Sequence, residues 1–408
     1  MKILWISDCP DNKIHTGYAT ATRLIAIELM KRGHSFVFGS QGSQDANIEE
    51  ISVGSSTCRS YGFGRGKFLS GQMIGEIDLL EKPDVIVTMA DWQMVEGMMN
   101  LSGFEAFSKW ICYAPVDGNM LSKHWDFMIY HIPYMVYMSP KYGASVCEPR
   151  RFGYADYVPL PVNLDNYALM PEVERAALRA ECKTRIGWKP ETKTVLTVAR
   201  NQWRKNYPEI IKAAKLLKEN FPGRFSFVLH CQPIEPMGWD LPALIKYYDV
   251  GDCVAISDQN INEELKNKLF NSADLFLLPS MGEGFGIPIA EAALYELPIF
   301  TTDDTAGKDL TDLMGCSSTN LAFETGWQNG PTIPRPCVSA ATITNALVDY
   351  ELRQLNAYDV QGTRRWAEEL FNVKCVASKW ENIMLDSMMA RSRSFGREFS
   401  IGEGKLSV

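Results

Sequence analysis

The sequence has no run approaching the roughly 18 consecutive apolar residues that a membrane-spanning helix needs. Its first apolar burst, Ile3-Leu4-Trp5-Ile6, turns polar at Ser7-Asp8. That is too short for a secretory signal core and reads as a first strand. None of the ten cysteines forms a Cys-x-x-Cys pair, which argues against a zinc site or a disulfide frame. Cys112, Cys231 and Cys253 instead lie inside apolar strand-like runs, the pattern of buried thiols in a reducing, cytoplasmic compartment. No Gly-x-Gly-x-x-Gly follows the first strand, so an NAD-dependent oxidoreductase is disfavoured. An excess of positive charge is missing too. Lys+Arg total 41 against 49 Asp+Glu, a formal net charge of −8. A mainly electrostatic grip on nucleic acid is thereby excluded, though not a local basic patch. The N-terminal half also lacks a cationic amphipathic helix for membrane docking.

What is present is an ordinary globular composition over 408 residues, 46% hydrophobic and 22% charged, enough for two domains. Strand-like and helix-like segments alternate, which predicts α/β domains with parallel sheets. The first series holds strands at Ile3–Ile6, Phe36–Phe38, Asp84–Met89, Lys109–Ala114 and Tyr134–Met138, with a helix from Tyr18 to Arg32 stopped at Gly33. The stretch Tyr157–Asn163 reads as a crossing between domains. The second series holds strands at Thr194–Val198, Phe225–His230, Cys253–Ile256, Asp274–Leu278 and Leu297–Thr301. The expected division is 1–165 and 166–376, with the last helix, about 377–408, returning to the first domain. Two Rossmann-like domains facing across a cleft would bind ligands beyond the carboxyl ends of their strands.

Two loops carry candidate chemistry. After the strand Thr194–Val198 comes Ala199-Arg200-Asn201-Gln202-Trp203-Arg204-Lys205-Asn206, cations at the opening of a helix. Free N–H groups and a partial positive charge make such a place suited to phosphate, although a solvated basic turn reads the same way. After Asp274–Leu278 comes Pro279-Ser280-Met281-Gly282-Glu283-Gly284-Phe285-Gly286-Ile287-Pro288-Ile289-Ala290-Glu291. Its glycines allow close backbone approach to a ligand, and Pro288 suits a first helical turn. The N–H groups of Phe285, Gly286 and Ile287 are expected to point into the cleft. Glu291, further along that helix, could accept two ribose hydroxyls, and Glu283 could accept hydroxyls of a sugar.

Arg200 and Lys205 five apart, with Glu283 and Glu291 separated by seven residues, resemble retaining glycosyltransferase family 4, of the GT-B fold. The strong match spans roughly Val195 to Thr302, and the N-terminal half fits loosely, through Gly17 and Arg32-Gly33-His34. The resemblance implies an enzyme, a hexosyl- or pentosyltransferase using a nucleotide-sugar such as a UDP- or GDP-sugar. It further implies that Arg200 and Lys205 hold the diphosphate and that Glu291 takes the ribose. Glu283, with Gly284, Phe285 and Gly286, would hold the transferred sugar. Gly17 and Tyr18 would approach the phosphates from the first domain, and Asn260 would meet the base. The chain has no Asp-x-Asp triplet of the kind metal-dependent sugar transferases use, so neither a metal nor another cofactor is expected.

This sequence also departs from the family. Where a His is usual after a mid-domain strand, it has Val116 or Asp117. Asp117 could bind a sugar or acceptor hydroxyl, or cap a turn. His15 and His124 are nearby candidates for the missing His. Leu160-Pro161-Val162-Asn163 stands where the family tends to have a Gly, and Asn206 replaces a Gly after the Lys. The acceptor is open among a glycan, a small molecule and a modified DNA base. Arg59-Ser60-Tyr61-Gly62-Phe63-Gly64-Arg65-Gly66-Lys67-Phe68 interleaves cations with aromatics. Such a segment could clamp a phosphate backbone and stack on bases, as in phage-type transfer to hydroxylated DNA bases, but at a net charge of −8 a mobile active-site loop or hairpin tip is the favoured reading. A nucleotide-sugar binder with a dead site is the alternative from another class.

Overall fold

A computed structural model describes residues 1–11, 16–41, 47–63, 70–99, 101, 103–119, 123–150, 154–257, 262–327, 333–353 and 359–402. The chain divides into two compact units, Met1–Pro115 with Ser122–Val162 and Phe371–Val408, and Val116–Leu121 with Asn163–Leu370. The break therefore falls at Val162 and again before Phe371, a few residues earlier than the sequence suggests. The short segment after the mid-domain strand goes with the second unit.

The first unit is built on eight strands, β1 (Lys2–Asp8), β2 (Ser35–Gln41), β3 (Ile48–Val53), β4 (Ser56–Gly62), β5 (Val85–Met89), β6 (Trp110–Ala114), β7 (Tyr134–Tyr137) and β8 (Tyr154–Tyr157). Their order in the sheet is β3-β4-β2-β1-β5-β6-β7-β8. All neighbours are parallel except β3 and β4. β1, β5, β6 and β7 are apolar runs buried on both faces, as helix-covered parallel strands must be. The helix Gly17–Lys31 starts at Thr16, whose Oγ1 accepts from the Ala19 N–H at 3.1 Å, and ends before Gly33 at φ +90°.

The last helix, Val373–Gly402, packs on Gly17–Lys31 in this same unit. The Arg32 guanidinium donates to Lys374 O at 2.8 Å and Ser378 Oγ at 2.9 Å, and lies 3.3 Å from Glu381. His34 Nε2 meets the other Glu381 oxygen at 2.9 Å, and these contacts hold that carboxyl below its usual range. The Arg32-Gly33-His34 helix end thus works as a latch. Trp380, Ile383 and Met384 follow one another at helical spacing along this last helix and are all buried, so they serve its packing.

Arg59 to Gly62 is strand β4, not a loop. Arg59 Nη1 donates to Glu81 Oε1 at 2.7 Å and Tyr61 Oη to the same oxygen at 2.5 Å. Tyr61 and Phe63 are buried, so neither ring is presented to a base. The remaining 64–68, like His15 and Asn260, lie outside the described residues, and so does the side chain of His124.

The second unit holds β9 (Lys193–Val198), β10 (Phe225–His230), β11 (Val254–Ser257), β12 (Leu275–Leu278) and β13 (Ile299–Thr301), all parallel, in the order β11-β10-β9-β12-β13. An antiparallel hairpin, β14 (Glu324–Trp327) with β15 (Pro334–Cys337), accompanies it. Because β9 and β12 are neighbours, the loops leaving their carboxyl ends are neighbours too. The two candidate loops are those loops. Among the described residues no helix is long and apolar enough to cross a membrane.

Candidate active site

The loop after β9 closes in a tight turn, Trp203–Lys205, before the helix Tyr207–Asn220. Asn206 joins them at φ +61°, the left-handed region that favours glycine. Its presence in place of a Gly has a physical reason. Asparagine tolerates this conformation best among residues with a side chain, and its Nδ2 donates to Val338 O at 2.9 Å. Asn206→Gly should cost only that hydrogen bond, about 1 kcal/mol. Asn206→Val should cost a further ~1–2 kcal/mol of backbone strain. Urea midpoints of the two variants check the order, and equal midpoints would contradict the strain.

The turn is tied to the glycine-rich loop. The Met281 N–H donates to Arg204 O at 2.7 Å, and Arg204 Nη1 donates to Gly282 O at 2.7 Å. Lys205 Nζ donates to Glu283 Oε1, and Arg204 Nη1 lies 3.3 Å from Glu283 Oε2. Lys205 is 6% exposed and Glu283 5%, so this is a buried pair supported by a second cation. Burial pulls Lys205 down to about 8, helped by Arg204 and opposed by Glu283. For Glu283, burial raises the pKa, but Lys205 and then Arg204 outweigh it and hold the carboxyl at about 2. Both groups are charged at neutral pH.

The Glu283 N–H donates to Thr305 Oγ1 at 3.2 Å. Thr305 is β-branched at φ +55°, a conformation costing about 1–3 kcal/mol. The strain sits where the glutamate's backbone is held. Gly286, at φ +95°, turns the chain into the helix Ile287–Leu294, with Pro288 in its first turn. Glu291 on that helix is buried. Its Oε1 accepts from Tyr167 Oη at 2.9 Å and Lys266 Nζ at 2.6 Å. Burial lowers the Lys266 pKa, but the Glu291 carboxylate more than compensates, so its net shift is upward.

The predicted residues thus fall into several clusters. Lys205 and Glu283 touch, with the Gly282 turn beside them. Arg200 is exposed after β9 and pairs with Glu235 Oε1 at 3.3 Å. Glu291 pairs with Lys266 and Tyr167. Gly17 opens the first unit's helix, where Tyr18 Oη donates to Asp91 at 2.8 Å. Asp117 lies in the segment that goes with the second unit, where Arg335 Nη1 donates to its carbonyl and sits 3.2 Å from its Oδ1. Two further cations belong to these clusters: Arg204, which stands inside the loop after β9, and Arg335, which no sequence motif marks.

Neighbouring strand ends of a parallel α/β sheet thus carry a cation-bearing turn and a glycine-rich, carboxylate-bearing loop, at the end of the sheet where α/β proteins commonly bind ligands. Comparison narrows the class. Residues 179–310 match the family described as Glycosyl transferases group 1. Comparison with curated proteins finds no match. Sucrose-phosphate synthase from Thermosynechococcus elongatus superposes with a TM-score of 0.69 at 17% identity, covering 97% of this chain and 99% of that one. Anabaena HepE, solved in complex with UDP and glucose, gives 0.63 at 14% identity over 95% and 100%. The catalytic domain of Starch Synthase IV from Arabidopsis thaliana, bound to ADP and acarbose, gives 0.62 at 12% identity over 95% and 99%. The fold is GT-B, and through its group 1 domain the chain is a glycosyltransferase.

Proposed function

We propose that the chain transfers a sugar, with retention and without a metal, from a nucleotide-sugar to a hydroxyl acceptor, in the manner of glycosyltransferase family 4. The observation that carries this reading is the buried Lys205–Glu283 pair, steadied by Arg204, at the glycine-rich turn. The bond from the anomeric carbon to the diphosphate oxygen breaks, and a bond from that carbon to the acceptor oxygen forms. The acceptor's proton passes to the leaving phosphate on the same face. Lys205 and Arg200 stabilise the negative charge that develops on the diphosphate, work a metal could otherwise do. Glu283 holds hydroxyls of the transferred sugar, and Glu291, its rotamer fixed by Lys266 and Tyr167, takes the ribose. The neighbours solved with UDP and ADP support a nucleoside diphosphate as leaving group. The burial of most described cysteine thiols fits a cytoplasmic setting.

A thermal-shift panel of nucleotide-sugars tests the donor, since a ligand at 100 times its dissociation constant adds about 2.7 kcal/mol. Turnover of the best donor should survive EDTA, and the product should keep the donor's anomeric configuration by NMR. Stabilisation without any sugar release would make the chain a binder and sink the enzyme reading. The pH profile adds a second check. With Lys205 lowered to about 8, kcat/KM for the donor should fall as pH rises through that value and the cation is lost. Lys205→Arg should move this limb upward. A profile flat to strongly alkaline pH would remove Lys205 from the role.

A further inference from the structure

The guanidinium of Arg335 is a buried cation outside the two motifs. It stands on β15 and is 7% exposed. Its Nη1 donates to the Asp117 carbonyl and lies 3.2 Å from Asp117 Oδ1. Its Cζ sits 5.9 Å from the centre of the Trp203 ring, in the turn that ends at Lys205. Gly282, at φ +146°, packs so closely that a methyl there would overlap the Asp117 carbonyl and meet Arg335 Nη1. The Nε of Arg335 is buried with no hydrogen-bond partner. An arginine so costly to bury is hard to explain as filler, since a buried donor left unpaired loses stability.

We propose that Arg335 is a positioning residue for sugar transfer, holding the Asp117 backbone and carboxylate against the Gly282–Glu283 turn. This rests on the transferase reading above. Arg335, Arg204 and Lys205 bring positive charge to a cluster whose acids are Asp117 and Glu283, an excess of one cation that suits a diphosphate. The Arg335 Cζ sits over the Trp203 ring, and its Nη1 serves Asp117. A lysine can supply the charge but not this planar fork.

The experiment uses the full chain and whichever nucleotide-sugar the wild type turns over. Wild type, Arg335→Lys, Arg335→Met, Asp117→Asn and the Arg335→Met/Asp117→Asn double variant are compared for donor KM, kcat and melting temperature. Arg335→Met should lose at least tenfold in kcat with donor KM changed less than threefold, and Arg335→Lys should recover part of it. The double variant should be no slower than the worse single variant, because both act through one contact. Full kcat in Arg335→Met, or strictly multiplicative losses in the double variant, would overturn the assignment. If Arg335→Met fails to fold, the Arg335→Lys and Asp117→Asn kinetics decide: unchanged kcat in both overturns it. No turnover by the wild type with any donor would instead sink the transferase reading itself, and this inference with it.

Discussion

Lys205→Ala is expected to slow sugar transfer on the order of 100-fold or more and to destabilise the second unit at the same time. On the proposed role of Lys205, the kinetic loss follows from removing one preorganised cation aimed at developing negative charge. The stability loss follows from what stays behind. Glu283 remains buried, with Arg204 at 3.3 Å as its nearest charge partner. Breaking a buried ion pair by removing one member typically costs about 3–5 kcal/mol, and Arg204 should keep this case toward the lower end. Acid titration separates the two effects. Glu283's folded pKa, about 2, lies below its ordinary 4.5, so the carboxylate contributes stability in full above pH 4.5 and loses it as pH falls toward 2. Lys205 works the other way. Its folded value of about 8 lies below 10.5, so its burial penalty is fully present below pH 8 and disappears as pH rises toward 10.5. In Lys205→Ala the alkaline rise in stability should vanish, and the acid loss below pH 4.5 should shrink, because without the lysine Glu283's folded pKa moves back up toward its ordinary value. Melting temperatures from pH 3 to 10 measure both, and an unchanged pH profile would contradict the pair.

The same pair shows how far the sequence can be read. β9 and β12 are short apolar runs buried on both sides, so their positions were plain, and a parallel sheet that sets them side by side brings their loops together. Lys205 and Glu283 meet for that reason. Arg335 was not legible. It lies between Pro334 and Pro336, and prolines read as loop because they cannot donate to a ladder. A two-stranded ribbon consists of edges alone, where proline is tolerated, so β15 forms regardless. β3 and β4 are illegible in the sequence for a related reason. Both are largely exposed at their outer positions, with Glu49, Glu50 and Arg59 in sight of solvent, and lack the continuous apolar signature of the buried strands. The grouping of Asp117 with the second unit depends on contacts far along the chain, which no local pattern encodes.

Trp380→Ala should cost about 3–5 kcal/mol in the first unit, the range for removing a large buried aromatic side chain. Trp380 is fully buried and stands edge-on between two other rings, Trp5 at 5.0 Å and Tyr113 at 4.9 Å between centroids. Those neighbours cannot close the gap. Trp5 is pinned by Nε1 to Thr22 Oγ1 at 3.1 Å, and Tyr113 by its hydroxyl to Val158 O at 2.8 Å. Either would have to break a buried hydrogen bond to move inward, so the cavity should persist. Trp380→Phe is the instructive control. The Trp380 indole N–H is buried without a partner, and phenylalanine removes that unpaired donor while keeping one ring edge against each neighbour. Its cost should therefore be well under half that of alanine. Urea unfolding reads both variants, and hydrogen exchange should show the loss concentrated in Val373–Gly402 and the Gly17–Lys31 helix it covers. Equal costs for phenylalanine and alanine would mean that ring packing is not what fastens the last helix to the sheet.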